Sequence, residues 1–451
     1  MIRGSSIIKQ VSKVSKVPKV FNCRFLSTGV KYTTLSNGIT VASEVSDEAQ
    51  HSTVGLYIAG GSRSEHPYCN GVSALTANLL SQQHNVGQDG VLTSSHNSRE
   101  INGVVAETAN NNVQVAGKLI AQIASNATEI VSKADFGIAR KKLIKQAEIV
   151  ETDPESKVLS HLAATAFQGY SLSLPTLGTT ESVANLEVED CLRHLEKHLV
   201  NNNVIIAAAG SFDHEKLVDA IESNLKIAQG AKPEIKPASF LGSEVRMRDD
   251  TMPKAYISIA VNGEGLGSPN YYLAKVAAAI YGNFNIHSTI AKYTSPKLAS
   301  IVQEYKIVEK YHHFSKSWSD TGLWGFYAEI PDKFTVDDFC HFSLKEWNRL
   351  SISISEQEVA RAKAQVKAKL ASHYASTRHI SKDIAKNILT VGFKHSLKEA
   401  FDKIDAITVG DVKEWGKSKV WDRDIVISGT GRIEDLLDYN RNRNEMAMMR
   451  W

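Results

Sequence analysis

The sequence predicts an α+β fold of two homologous domains, each a mainly antiparallel sheet covered by helices. Three observations carry this. The chain has 451 residues, more than one ordinary core organises. Short apolar runs of strand character alternate with long amphipathic stretches of helical period. One plan also occurs twice. Val204-Ile205-Ile206-Ala207-Ala208-Ala209-Gly210 leads into a helical run from Asp213, and Ile425-Val426-Ile427-Ser428-Gly429-Thr430-Gly431 leads into one from Glu434. Gly431 lies 221 positions after Gly210, and the same offset relates Val188-Glu189-Asp190 to Val409-Gly410-Asp411, which open the preceding helices.

The beginnings of the halves match as well. The strand Val54 to Gly60 runs on to Pro67 and a helix, and the strand Ile257 to Gly263 runs on to Pro269 and a helix. Between the halves, Gln229-Gly230-Ala231-Lys232-Pro233-Glu234-Ile235-Lys236-Pro237 suits neither a helix nor a central strand. Domains are therefore expected at 27–228 and 240–451, joined by a linker at 229–239 and each covered by helices on one sheet face. Hydrophobic content of 42% and charged content of 22% are those of a globular protein. No apolar run approaches the ~20 residues that span a bilayer.

Residues 1–26 carry Arg3, Lys9, Lys13, Lys16, Lys19 and Arg24, and the first acid of the chain is Glu44. A basic, Ser-rich, acid-free start predicts a mitochondrial transit peptide, with cleavage between Leu26 and Ser27 after Arg24-Phe25. Removing those six of the 52 basic residues leaves 46 against 49 acids, a charge near −3, which argues against a nucleic-acid partner. Cys23, Cys69, Cys191 and Cys340 are scattered, so neither a disulfide framework nor a thiolate metal site is expected.

His194 and His198 have the i, i+4 spacing of a zinc pair, but no third ligand is near in sequence, and an exposed polar helix face is the expectation there. His312 and His313 are neighbours on a strand and should point to opposite faces. Gly263-Glu264-Gly265-Leu266-Gly267 lacks the Lys-Ser/Thr of a phosphate loop and the spacing of a dinucleotide fingerprint.

Gly60-Gly61-Ser62-Arg63-Ser64-Glu65, followed by Asn70-Gly71-Val72-Ser73-Ala74-Leu75-Thr76-Ala77-Asn78-Leu79, resembles the start of the M16 (pitrilysin) peptidase family. In that family the helix carries H-x-x-E-H, two zinc ligands and a general base. The resemblance places Ala74, Ala77 and Asn78 at those positions. On the later helix Phe136 to Glu148 it places Ala139 at the third ligand and Gln146 at a second acid. A methyl has no lone pair, and a lone amide is a poor zinc ligand. The resemblance therefore implies a duplicated fold with no catalytic residue, metal or cofactor.

In the second half, Ser319-Asp320-Thr321-Gly322-Leu323-Trp324-Gly325-Phe326 resembles the D-T-G-L-x-G signature of mitochondrial members, with glycines that permit close backbone approach. Tyr281 to Thr289 holds one glycine and does not resemble the glycine-rich loop of the α subunit of the processing peptidase. Phe240 to Asp250, Ile404 to Val409 and Met446 to Trp451 resemble the fungal core-protein branch of the family, part of ubiquinol–cytochrome c reductase (respiratory complex III). That implies a structural subunit on the matrix side of the inner membrane, with core protein 2 and other complex III subunits as partners. The competing reading is a subunit of the mitochondrial processing peptidase. The tail residues Met446, Met448, Met449 and Trp451 are apolar after a polar run, and are expected to dock on a partner or to fold back on their own domain.

Overall fold

The computed structural model describes residues 29–82, 90–289 and 291–447. The expected cleavage site Leu26-Ser27 and the tail residues Met448, Met449 and Trp451 lie outside them.

The described strands form two six-stranded sheets. The first contains β1 (Lys31–Thr34), β2 (Thr40–Val45), β3 (His51–Ile58), β4 (Val91–Asn97), β5 (Asn102–Ala109) and β6 (Val204–Gly210), in the order β1-β2-β6-β3-β5-β4. The second contains β7 (Ser243–Arg248), β8 (Ala255–Gly263), β9 (Asn283–Asn285), β10 (Lys310–Ser317), β11 (Gly322–Ile330) and β12 (Ile425–Gly431), in the order β7-β12-β8-β11-β10-β9. Pairing is antiparallel except for β2 with β6 and β7 with β12. The late strand of each half, β6 or β12, thus inserts at the same place, which is the structural form of the 221-residue repeat. The helices before these strands begin alike too. Glu187 with Asp190, and Thr408 with Asp411, close reciprocal capping boxes on Val188–His198 and Val409–Lys419.

All seven residues of β6 and of β12 are buried, as in strands covered on both faces. Successive side chains of β6 enter different cores: Val204, Ile206 and Ala208 pack under the helices of their own half, and Ile205, Ala207 and Ala209 pack on the other face. That second face is where the expectation of one covered face fails. The helix Thr377–Val391, from the second half, lays Ile380, Ile384, Ala385 and Leu389 on the first sheet. The helix Pro154–Ala166, from the first half, lays Val158, Leu162, Ala163 and Ala166 on the second sheet. The two helices occupy equivalent places in the repeat, so the halves exchange one helix each. An amphipathic pattern shows that a stripe is buried, not which sheet it meets.

Gly103 on β5 and Gly325 on β11 sit where a Cβ would stand 2.0 Å from the Leu56 carbonyl oxygen and 2.1 Å from that of Ile259. No side chain fits there. Of the two alternatives expected for the tail, Met446 follows the second: it is fully buried in the core of its own second half, and its carbonyl accepts from the Asp422 N–H at 3.1 Å. The short helix Tyr439–Glu445 turns the chain inward at this point, so burial of the thioether is met within the chain. No helix among the described residues is long and apolar enough to cross a membrane.

Candidate functional site

The segment that resembles a zinc-binding helix folds as one, over Val72–Ser81. Gly71 enters it at φ 100°, a left-handed conformation suited to glycine. Glu65 takes the place of a cap: its carboxylate accepts from the Asn70 side chain at 2.7 Å and from the N–H groups of Gly71 and Ser73 at 2.8 Å each. Burial pushes the Glu65 carboxyl up despite the hydrogen bonds that stabilise its charge.

Ala74, Ala77, Asn78 and Ala139 are all buried, and Ala74 and Ala139 belong to one core. The helix Phe136–Thr152 packs against Val72–Ser81, so the two helices meet. What meets there is apolar. Asn78 keeps polar atoms: its Oδ1 accepts from Ser95 Oγ at 2.6 Å, while its Nδ2 is buried without a partner among the described residues. Among the described residues no group of three His, Cys, Asp or Glu side chains is placed to hold a metal ion. The three alanines supply packing and carry no lone pair.

The strongest polar feature lies beside this helix and joins the halves. Arg63 is 4% exposed. Its Nη1 and Nη2 each stand 2.7 Å from a carboxylate oxygen of Asp320, a two-pronged pair. Nη1 also reaches Glu100 at 2.9 Å and Ser319 Oγ at 3.0 Å, and Nη2 reaches the Lys236 carbonyl in the linker at 3.2 Å. Glu100 accepts from the Ser319 N–H at 2.9 Å and its hydroxyl at 2.6 Å. The Ala238 N–H donates to Asp320 at 2.8 Å. Burial would raise the Asp320 carboxyl, yet the hydrogen bonds and charge of Arg63 hold it below its ordinary range. The Gly60 to Glu65 segment and the D-T-G-L signature are thus halves of one clasp. In the sequence they stand as separate motifs, and the signal that could join them is a pair of opposite charges, Arg63 in one and Asp320 in the other.

His194 and His198 are not on an exposed polar face. Both are buried, with ring centroids 4.6 Å apart. Cys191, His194, Leu195 and His198 recur at i, i+3, i+4 and i+7, the spacing of an inward stripe, and that stripe outweighs the polar character of the imidazoles. Burial is the main reason their basicity falls, to about 3 for His194 and about 4 for His198, with Lys197 opposing the charge of both. His312 and His313 do point to opposite faces. His312 lies 3.7 Å from Glu155, and His313 accepts from Trp347 Nε1 at 3.0 Å in the core of the second half.

Comparison with known proteins follows this geometry. A family description of the M16 insulinase peptidases matches residues 40–180, and one of the M16 inactive domain matches residues 185–366. The chain is 70% identical, over the whole of both chains, to a Candida albicans protein named "Cytochrome b-c1 complex reductase subunit, mitochondrial". It is 42% identical to the Saccharomyces cerevisiae "Cytochrome b-c1 complex subunit 1, mitochondrial", covering 95% of this chain and 97% of that one. A chain in the solved structure of complex III2 from Candida albicans with Inz-5 bound superposes with TM-score 0.91 at 72% identity, covering 93% of this chain and 100% of the other. The chain belongs to the M16 peptidase family. Within that family it is similar to subunits of the cytochrome b-c1 complex, at 70% and 42% identity, and, at 35% and below, to proteins named as β subunits of the mitochondrial-processing peptidase.

Proposed function

We propose that this chain is a non-catalytic structural core subunit of respiratory complex III. It pairs with core protein 2 on the matrix side of the mitochondrial inner membrane and supports assembly and stability of the complex that moves electrons from ubiquinol to cytochrome c. It binds no cofactor of its own and is held at the membrane by other subunits. Residues 1–26 direct import and are removed between Leu26 and Ser27, and Met448, Met449 and Trp451 complete a docking tail beyond the buried Met446. The observation that carries the reading is a peptidase helix kept intact in its fold while Ala74, Ala77 and Asn78 lie buried where a metal site needs ligands and a base. The named relatives at 70% and 42% identity support it.

The test is metal content and hydrolysis of a presequence peptide by the purified full-length chain. The reading expects no stoichiometric zinc and no cleavage. The triple substitution Ala74→His, Ala77→Glu, Asn78→His is expected to remain inactive, because Ala139 still lacks a ligand atom. About one zinc per chain with cleavage by the unaltered protein gives the processing-peptidase reading instead.

A further inference from the structure

A cavity of about 320 Å³ opens where the helix Tyr271–Tyr281 meets the end of Glu356–His373, the helix Thr377–Val391 and the segment after it. None of its lining residues belongs to the clasp or to positions 74, 77, 78 and 139. Lys275, Lys382, Lys386 and Lys394 contribute to its wall, and Asp383 is the only carboxylate among its lining residues.

One of these four lysines is compensated and three are not. Lys394 is buried, holds Glu44 at 2.5 Å and stands 3.8 Å from Asp383. Lys275 lies over the Tyr271 ring at 4.3 Å, and Lys386 donates to the Ser317 carbonyl at 3.2 Å. Among the described residues neither these two lysines nor Lys382 forms an ion pair. At the rim the rings of His373 and His379 stack at 4.4 Å and 10°. Burial, together with Lys386 and Arg378, pushes the Lys382 amine down. Gathering like charge in a concave site is unfavourable, and a compact anion relieves it.

We propose that this cavity binds a phosphate group, carried by a small soluble molecule or by a lipid headgroup. A phosphate offers several charged oxygens to the ammonium groups of the wall, which a single carboxylate does not. The volume is at the small end of ligand sites, about 300–1,000 Å³. Tyr272 and Tyr374 leave an aromatic wall for whatever the phosphate is attached to.

The test uses the full-length chain with two probes. Calorimetry with pyrophosphate reads the soluble form. Flotation with phosphatidylcholine vesicles, with and without phosphatidylglycerol, reads the headgroup form. Binding in either arm is expected, and the arm that responds identifies the source. The double variant Lys275→Gln, Lys382→Gln is expected to bind at least tenfold more weakly at unchanged melting temperature. Lys141→Gln with Lys142→Gln, on the helix Phe136–Thr152, is expected to bind as the unaltered chain does. If the double variant is poorly folded, the single variant Lys275→Gln reads the same loss. No binding of millimolar pyrophosphate together with no gain from phosphatidylglycerol overturns the proposal. So does undiminished binding by a folded Lys275 variant.

Discussion

Arg63 holds carboxylates from both halves while itself almost wholly buried. Removing it leaves Glu100 as a buried charge without its partner, the situation in which breaking an ion pair is most destabilising. Arg63→Met is expected to lower unfolding free energy by about 3–5 kcal/mol in urea. Arg63→Lys should recover only part of this, because an ammonium cannot reproduce the two-pronged contact with Asp320. Loss below 1 kcal/mol in Arg63→Met would show that the clasp is incidental. The buried histidines give a prediction with a sign. Their folded values, about 3 and about 4, lie below the ordinary imidazole value, so folding favours the neutral form. Their contribution is fully present above about pH 6.5 and is lost as the pH falls through that value toward 4. His198→Gln should therefore show a shallower fall of the urea midpoint between pH 7.5 and 4.5 than the unaltered chain; an equal or steeper fall would refute the assignment. At this scale the sequence was legible where side-chain atoms alone decide. Ala74 and Ala77 exclude zinc ligation by their atoms alone. It was not legible where burial decided, as at His194 and His198, because two imidazoles read as polar until the flanking Cys191 and Leu195 are counted with them.

The exchanged helices set how the halves depend on each other. Ile384 is fully buried on a sheet built by the other half, and Leu162 is nearly so in the reverse direction. Ile384→Ala and Leu162→Ala are each expected to cost about 2–5 kcal/mol. The diagnostic result is where the cost appears: Ile384→Ala should increase proteolysis of the first half as well as the second, in one cooperative transition. If only the second half opens, the exchange does not couple them. The strands near 54–60, 204–210, 257–263 and 425–431 and the starts of the helices at Val188 and Val409 were readable because they depend on local period and spacing, whereas the helical run expected from Glu434 forms only as the short helix Tyr439–Glu445. The exchange was not, since an apolar stripe carries no address. Met446 stayed undecided for a related reason: an apolar residue near a chain end satisfies a partner and its own core equally well in sequence, and only the turn at Tyr439–Glu445 separates the two.

Across the whole molecule, duplication explains the architecture and loss of ligands explains the proposed role. Two sheets with one parallel pairing each, one helix traded in each direction and a buried clasp between the segment before the first helix of one half and the signature turn of the other tie the halves together. Such an architecture suits a subunit whose work is to hold others. The measurement that tests this most directly is the subunit composition of ubiquinol–cytochrome c reductase purified from mitochondria that express the chain, read by mass analysis of the intact complex. The account predicts this chain in the complex in equal amount with core protein 2, and loss of that complex when the chain is removed. Absence from the complex, with the chain recovered instead in an active zinc-containing processing peptidase, would contradict it.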